Sequence, residues 1–344
     1  MYGDVSWCPS VINGKILKPK ILITRQVFPE VIDFLSAHAE MDYNAADEVF
    51  TPGVLRERAR DVAAVMCCLT EKIDADFIDH CKHLKVVSNI AVGYNNIDVT
   101  ACTQRGVIVT NTPGILDDTT ADLTFALLMA AARRVTESEA WLRSGKWEKS
   151  FAVQQMLGTD IHHANLGIIG MGRIGQAVAR RAAGFDMTVR YCNRTRLDAA
   201  TEATLNVSYR SQEALLRESD FVVVMVPYSA ATHHLIGAPE IALMKPHAIL
   251  INTARGGVVD DAALIRALKQ NSIAGAGLDV FENEPALNPE FLALKNLVMT
   301  PHIGSATRAT RLAMAMLAAT NLRAVFTGES PPNWVNRSMP MFAH

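Results

Sequence analysis

No sign of charge prevails in this chain: 33 Lys and Arg stand against 35 Asp and Glu, a formal net charge of −2. That balance removes the electrostatic case for nucleic acid or an anionic lipid surface. Long apolar runs are also missing. The longest, Phe125 to Ala132, falls far short of the roughly 20 residues a membrane span needs. The N-terminus lacks the basic and apolar regions of a secretory signal, so none is expected, and residues 1–18 read as a loose tail. The cysteines (Cys8, Cys67, Cys68, Cys81, Cys102, Cys192) show no C-x-x-C spacing. Several lie in apolar strand patterns, and the vicinal Cys67-Cys68 pair reads as packing. Reduced thiols in a cytoplasm are expected. His162-His163 and His233-His234 are adjacent pairs without metal-ligand spacing, so no metal is expected.

What the chain does have is centred on residues 166–195, LGIIGMGRIGQAVARRAAGFDMTVRYCNRT. An apolar strand (Leu166 to Ile169) leads into Gly170, Gly172 and Gly175, spaced G-x-G-x-x-G. A helical pattern through Gln176, Val178, Ala179 and Ala182 follows, and a second strand runs from Met187 to Cys192. The first glycine permits the tight turn, the second lets backbone approach a pyrophosphate, and the third lets the helix pack close on the strand. The helix start turns its free N–H groups and positive dipole end toward the phosphates. This strand–turn–helix–strand context separates a dinucleotide site from a merely glycine-rich turn.

The end of the second strand selects the dinucleotide. NAD enzymes usually carry an acidic residue there to grip the ribose hydroxyls. This chain has Asn193, Arg194, Thr195 and Arg196 instead, and Asp186 lies at the wrong end of the strand. A neutral Asn does not repel a 2′-phosphate, Arg194 can pair with it and Thr195 adds a hydroxyl, so NADP(H) is expected, with NAD possible.

Along the chain, strands and helices alternate from Pro19. Strands are expected at Lys20–Thr24, Ala63–Leu69, Leu84–Ala91 and Val107–Thr110, and helices at Pro29–Ala39, from Thr51-Pro52, at Asp74–Lys82 and at Val99–Gln104. Leu116 to Ser144 predicts one long helix or two abutting ones, bridging two α/β units across a cleft. Further strands are expected at Phe221–Val226, Ala248–Asn252, Ile273–Val280 and Leu297–Thr300, in a sheet of six or seven, with a last helix near Ala306–Phe326. This βα rhythm implies two doubly wound parallel-sheet α/β domains.

Ligands of such sheets lie beyond the carboxyl ends of the strands. Three groups follow strand ends there: Arg255 in INTARGG, Glu284 in DVFENEP and His302 in TPHIGS. An arginine, a carboxylate and a histidine beside a nicotinamide can reduce a carbonyl. Each also has a plainer use: Arg255 pairing with Asp260 or Asp261, Glu284 as a turn residue before Pro285, His302 as a strand-end histidine.

The glycine turn with NTARGG, LDVFENEP and TPHIGSAT, in that order, resembles the D-isomer-specific 2-hydroxyacid dehydrogenase family from about Pro19 onward. SNIAVGYNNID, NRTR and VPYSAATHHLIG are similar to its glyoxylate/hydroxypyruvate and 2-ketogluconate reductase branch. The resemblance implies a discontinuous flavodoxin-like substrate domain (19–118 and 305–344), an inserted Rossmann NAD(P)-binding domain (119–304) and a homodimer formed through the latter. It implies His302 as general acid, Glu284 as its paired carboxylate, and Arg255 as the residue that binds the substrate carboxylate and polarises its carbonyl. An adjacent anion favours an imidazolium. Backbone N–H groups at Val92 and Gly93 would hold the carboxylate. Thr120 would lie near the nicotinamide and Asp279 at its carboxamide. Arg173, Ile174, Val226, Pro227, Thr232, Thr253, Ala254 and Gly304 complete the implied cofactor-binding set, with Arg255 and His302. Trp147 is expected either to reach a neighbouring subunit or to anchor its own loop. The expected activity is reduction of a small 2-keto acid to the D-hydroxy acid. A dinucleotide-sensing corepressor of the same fold and a short phosphoglycerate dehydrogenase are the alternatives.

Overall fold

The computed structural model describes residues 11–12, 15–16 and 18–337; the remainder of the tail expected over residues 1–18 lies outside the described residues. Val11–Ile12 (β1) and Lys15–Ile16 (β2) pair antiparallel. The described residues fall into two compact units, divided after Leu116 and again before Thr307.

The first unit is built on β3 (Lys20–Ile23), β4 (Glu40–Tyr43), β5 (Ala64–Cys67), β6 (Val86–Asn89) and β7 (Ile108–Thr110), all parallel, in the order β4-β3-β5-β6-β7. That is the flavodoxin-like order. Helices α1 (Pro29–Ser36), α2 (Pro52–Ala59), α3 (Ala75–His80) and α4 (Val99–Gln104) alternate with these strands. Thr51 caps α2 by accepting the Val54 N–H, and Asp74 and Asp98 cap the next two helices in the same way. Alternate strand residues enter two cores. Ile21, Ile23, Ala64, Met66 and Val86 face one side, and Leu22, Val65, Cys67 and Val87 the other. Of the vicinal cysteines, Cys67 belongs to this packing; burial pushes its thiol well up and the Cys68 thiol up to about 12, which disfavours the thiolate at both.

The second unit opens on α5 (Asp117–Ala132) and α6 (Val135–Arg143), the two-helix version of the long apolar-periodic stretch. The break falls at Arg134, whose left-handed backbone (φ 53°) ends the run and whose guanidinium pairs with Glu137. Strands β8 (Asn165–Ile169), β9 (Thr188–Cys192), β10 (Val207–Tyr209), β11 (Phe221–Val224), β12 (Ile249–Asn252), β13 (Gly275–Leu278) and β14 (Leu297–Met299) form one parallel sheet, ordered β10-β9-β8-β11-β12-β13-β14. Helices α7 (Arg173–Ala183), α8 (Ala199–Leu205), α9 (Gln212–Glu218), α10 (Ala238–Ile241) and α11 (Asp261–Lys269) connect them. The order reverses at β8/β11, the switch point of a Rossmann sheet. Residues again alternate between two cores, Val222, Val224 and Leu250 on one face and Phe221, Val223, Ile249 and Ile251 on the other, so both faces are covered. Gly277 makes room for α5: a Cβ there would lie 2.9 Å from Ile251 and 3.2 Å from Leu127.

The chain then returns to the first unit as α12 (Arg308–Phe326), capped by Thr307. Its Ala315, Ala318, Leu322 and Val325 pack with Ile21, Ile23 and Leu35.

Four strands escaped the sequence reading: β1 and β2, which pair within the segment read as a loose tail, and the sheet strands β4 and β10. The latter two are edge strands, only partly buried along most of their length, so neither needs the continuous apolar run that marks the central strands.

Candidate active site

Beyond the carboxyl ends of β12, β13 and β14 the chain brings Arg255, Glu284 and His302 into one neighbourhood. Glu284 Oε2 is 2.7 Å from His302 Nδ1, and both side chains are about one-third open, at 32% and 31%. Glu284 Oε1 accepts the Phe281 N–H at 2.8 Å. Burial pushes the Glu284 carboxyl up, but the His302 bond and charge, the Phe281 amide and the Arg255 charge outweigh it and hold it below its usual range. Glu284 is thus a carboxylate aimed at an imidazole and is more than a turn residue.

His302 has a left-handed backbone (φ 52°), a conformation uncommon for any residue but glycine, though histidine adopts it more readily than most. Asp279 builds the turn that imposes it. Its Oδ1 accepts the Thr300 hydroxyl (2.6 Å) and the Ile303 amide (2.8 Å), its Oδ2 accepts the Gly304 amide (2.8 Å), and its carbonyl accepts the His302 amide (2.9 Å). Burial pushes this carboxyl up. Gly304 is wedged between Asp279 and Thr120, where a Cβ would sit 3.3–3.4 Å from both, so three residues expected at the cofactor meet.

Arg255 is presented by Asn252, whose side chain accepts the Ala254 amide and donates to the Arg255 carbonyl, both at 3.1 Å. The guanidinium donates to the Ala254 carbonyl. It forms no ion pair with Asp260 or Asp261, whose carboxylates cap α11 and accept the Glu282 amide respectively. Burial lowers its pKa against the pull of Glu284. A half-buried cation with no contacting carboxylate among the described residues is a natural receptor for a ligand anion.

Gly170 has φ 105° and lies so close to the end of β11 that a Cβ would be 2.6 Å from Met225 and 2.9 Å from Val226. A Cβ on Gly175 would be 2.3 Å from the Gly170 carbonyl, so α7 packs on the turn as the spacing predicts. Gly172 has open space around it. It caps α7 without a side-chain bond, and the Arg173 and Ile174 amides find no acceptor among the described residues. Thr232 closes the Pro227 turn by donating to the Pro227 carbonyl, and Thr253 shares a hydroxyl contact with Thr124 at 2.6 Å.

At the end of β9 the residues divide their work. Asn193 Oδ1 accepts the Met171 amide at 2.6 Å, tying strand end to glycine turn. Arg196 is held by both carboxylate oxygens of Glu202 and lies over Tyr209. Arg194 and Thr195 are exposed, and Arg194 has no ion pair or hydrogen bond among the described residues. These features fit a dinucleotide: an unobstructed glycine, unsatisfied helix amides and an available arginine.

In the first unit, the Val92 and Gly93 carbonyls are tied back by the side-chain amides of Asn111 (2.8 Å) and Asn89 (2.9 Å). Their own N–H groups have no acceptor among the described residues.

Sequence reading missed Asn252, Thr300 and the structural duty of Asp279. The first two are polar residues at the ends of apolar strands, the one signal that could have marked them. It also missed that the His233 and His234 rings stack at 3.9 Å, with His234 against Glu282.

Residues 125–304 match the family described as "D-isomer specific 2-hydroxyacid dehydrogenase, NAD binding domain". A glyoxylate reductase of Thermococcus litoralis is 49% identical over 326 residues, covering 94% of this chain and 98% of that protein. One from Pyrococcus horikoshii is 48% identical, with 94% and 97% covered. Among solved structures, a glyoxylate reductase of Paecilomyes thermophila superposes with a TM-score of 0.83 at 32% identity over 93% of this chain and 99% of that one. An NADPH-dependent glyoxylate/hydroxypyruvate reductase of Sinorhizobium meliloti, in complex with NADP and malonate, gives 0.82 at 33%, with 94% and 98% covered. Fold and site define a nicotinamide-dinucleotide oxidoreductase with a Rossmann domain. The chain belongs to the D-isomer specific 2-hydroxyacid dehydrogenase family, on its glyoxylate reductase branch. Among the described residues no helix is long and apolar enough to cross a membrane.

Proposed function

We propose that the protein is an NADPH-preferring reductase of small 2-keto acids, glyoxylate first and hydroxypyruvate or 2-ketogluconate after it, yielding the D-hydroxy acid where the product is chiral. The observation that carries this reading is the Glu284–His302 contact beside Arg255, which has no ion pair among the described residues.

Bound NADPH would supply the hydride. Gly170, Gly172 and Gly175, with the free amides of Arg173 and Ile174, would hold its pyrophosphate. Arg194 and Thr195 would take the 2′-phosphate, while Asn193 keeps the strand end neutral and tied to the turn. Val226, Pro227, Thr232, Thr253, Ala254, Thr120, Asp279 and Gly304 would line the remainder. Arg255 would bind the substrate carboxylate and polarise the ketone through its planar fork. The amides of Val92 and Gly93 are also suited to a carboxylate, since backbone carbonyls that would repel it are tied back. His302, held at Nδ1 by Glu284, would deliver a proton from Nε2 to the carbonyl oxygen as hydride reaches the carbon. The Glu284 carboxylate would neutralise the ring while it is charged.

A homodimer fits the second unit's surface. Phe151 is 81% exposed, Val153 78% and Leu157 63%, in the same segment as half-exposed Trp147. Apolar side chains so open and so near in sequence suit a second copy of this chain. The five described cysteines are free, which agrees with a cytoplasmic setting.

The test is absorbance-followed oxidation of NADPH with glyoxylate, hydroxypyruvate and 2-ketogluconate, each repeated with NADH. Turnover on at least one acid with NADPH favoured is expected. Tight cofactor binding without turnover on any of the three would replace this reading with a dinucleotide sensor.

A further inference from the structure

Glu284 and Arg255 lie on separate loops, and the structure contains a contact that joins those loops away from the reacting groups. The backbone beside Arg255 touches the backbone before Glu284: a Cβ on Gly256 would be 1.7 Å from the Phe281 carbonyl and 2.9 Å from the Glu282 nitrogen. Glu282 then locks this approach. Its Oε1 accepts the Asp261 amide (3.2 Å), and its own amide donates to Asp261 Oδ2 (3.0 Å), a reciprocal pair at the start of α11. The same Oε1 meets His234 Nε2 at 2.9 Å. His234 is in turn fixed to the Arg255 loop, because its amide donates to the Gly257 carbonyl (2.8 Å), and its backbone is left-handed (φ 52°). Beyond it, Ile236 and Val259 continue the pairing of the two segments. Two residues after Glu282, Glu284 curls back so that its Oε1 takes the Phe281 amide while its Oε2 holds His302.

We infer that Glu282 is a positioning residue: gripped by His234 and Asp261, it holds the turn from which Glu284 reaches His302 against the loop that presents Arg255. Glu282 itself bonds to none of Arg255, Glu284 or His302, so it acts through the turn. The inference rests on the catalytic reading of those three residues. The ligand atoms of His234, Asp260 and Glu282 lie within 4.8 Å of one another, close enough for a divalent cation. The 2.9 Å contact between ring nitrogen and carboxylate favours a direct hydrogen bond.

The experiment compares steady-state kinetics and NADPH affinity of the full-length enzyme with Glu282→Ala, Glu282→Gln and His234→Ala. Glu282→Ala is expected to lower kcat for the best keto acid roughly tenfold to a hundredfold, the range a small misplacement of catalytic groups produces, with NADPH binding kept within about twofold. Glu282→Gln keeps an oxygen for the Asp261 amide and is expected to recover most of that loss. Should Glu282→Ala not fold, His234→Ala decides, since it cuts the same link at a partly exposed side chain. Folded variants of both residues with unchanged kcat would overturn the inference. So would activity lost on EDTA treatment and restored by Mn2+ in the parent but not in Glu282→Ala, which would make the cluster a metal site. Turnover surviving in His302→Ala would instead remove the catalytic reading itself, so the two failures are distinguishable.

Discussion

Glu284 holds His302 by one oxygen and its own turn by the other: Oε2 lies 2.7 Å from the ring Nδ1, while Oε1 takes the Phe281 amide at 2.8 Å. The imidazole is therefore oriented at one nitrogen, and Nε2 is left with no partner among the described residues. Which ring nitrogen carries chemistry is set by the bond the other makes.

From this contact, His302→Ala should lower kcat by about 10²- to 10⁴-fold, the usual contribution of a positioned general acid. Cofactor affinity, read by NADPH fluorescence, should hardly change. Glu284→Gln should act differently. The Glu284 carboxyl is held below its usual range, so it is charged throughout the working range. Without that anion the contact to His302 loses its charge-assisted character, and kcat/KM should fall about tenfold or more. An unchanged kcat/KM would sink the pairing.

Arg194 is the arginine left available at the end of β9, since Arg196 is committed to Glu202. Arg194→Ala should reduce kcat/KM for NADPH roughly tenfold to a hundredfold, as loss of a charge-assisted bond implies. The value for NADH should stay within about twofold of the parent. Equal losses with both cofactors would dismiss the phosphate role.

Two glycines of one turn should fail in different ways. A side chain at Gly175 meets the Gly170 carbonyl at 2.3 Å, so Gly175→Ala should lose about 1–3 kcal/mol of stability by overpacking, seen as a lower urea midpoint. Gly172→Ala has room in the protein and should fold normally, with weakened dinucleotide binding in a calorimetric titration. Undiminished affinity in Gly172→Ala would mean that no pyrophosphate approaches there.

Asp261 gives a pH test of stability. Burial pushes its carboxyl up to about 6 against the Glu282 amide bond that lowers it, and the Glu282 and Asp260 charges add to the rise. A raised carboxyl favours folding while protonated, a contribution present below its unfolded value of about 4 and lost as pH rises through the folded value. Asp261→Asn keeps an oxygen for the Glu282 amide and cannot ionise. It should therefore raise the melting temperature above about pH 7, by free energy on the order of 3 kcal/mol at most, and give little difference near pH 4. Equal shifts at both ends would show that charge is not the cause.

Three links that shape the site were invisible in the linear chain. His234 and Glu282 are 48 residues apart, and Asp261 and Glu282 are 21. The Asn193 link to the glycine turn spans 22. No local pattern marks such pairs, because the side chains meet only when several βα units have stacked side by side.

The sequence by itself determined the alternation of strand and helix, the glycine turn, and which groups follow which strand ends. Those features are local: a buried central strand must be apolar throughout, as Phe221–Val224 is, and a turn with φ 105° must carry glycine, as Gly170 does. The tertiary structure alone decided the strand order and the two partly polar edge strands, β4 and β10. It also decided which arginine at the end of β9 is committed to Glu202, and the work of Asp279, Asn252 and Glu282 in shaping the loops. Edge strands need no continuous apolar signal, and a buried polar group takes the partner that packing delivers to it.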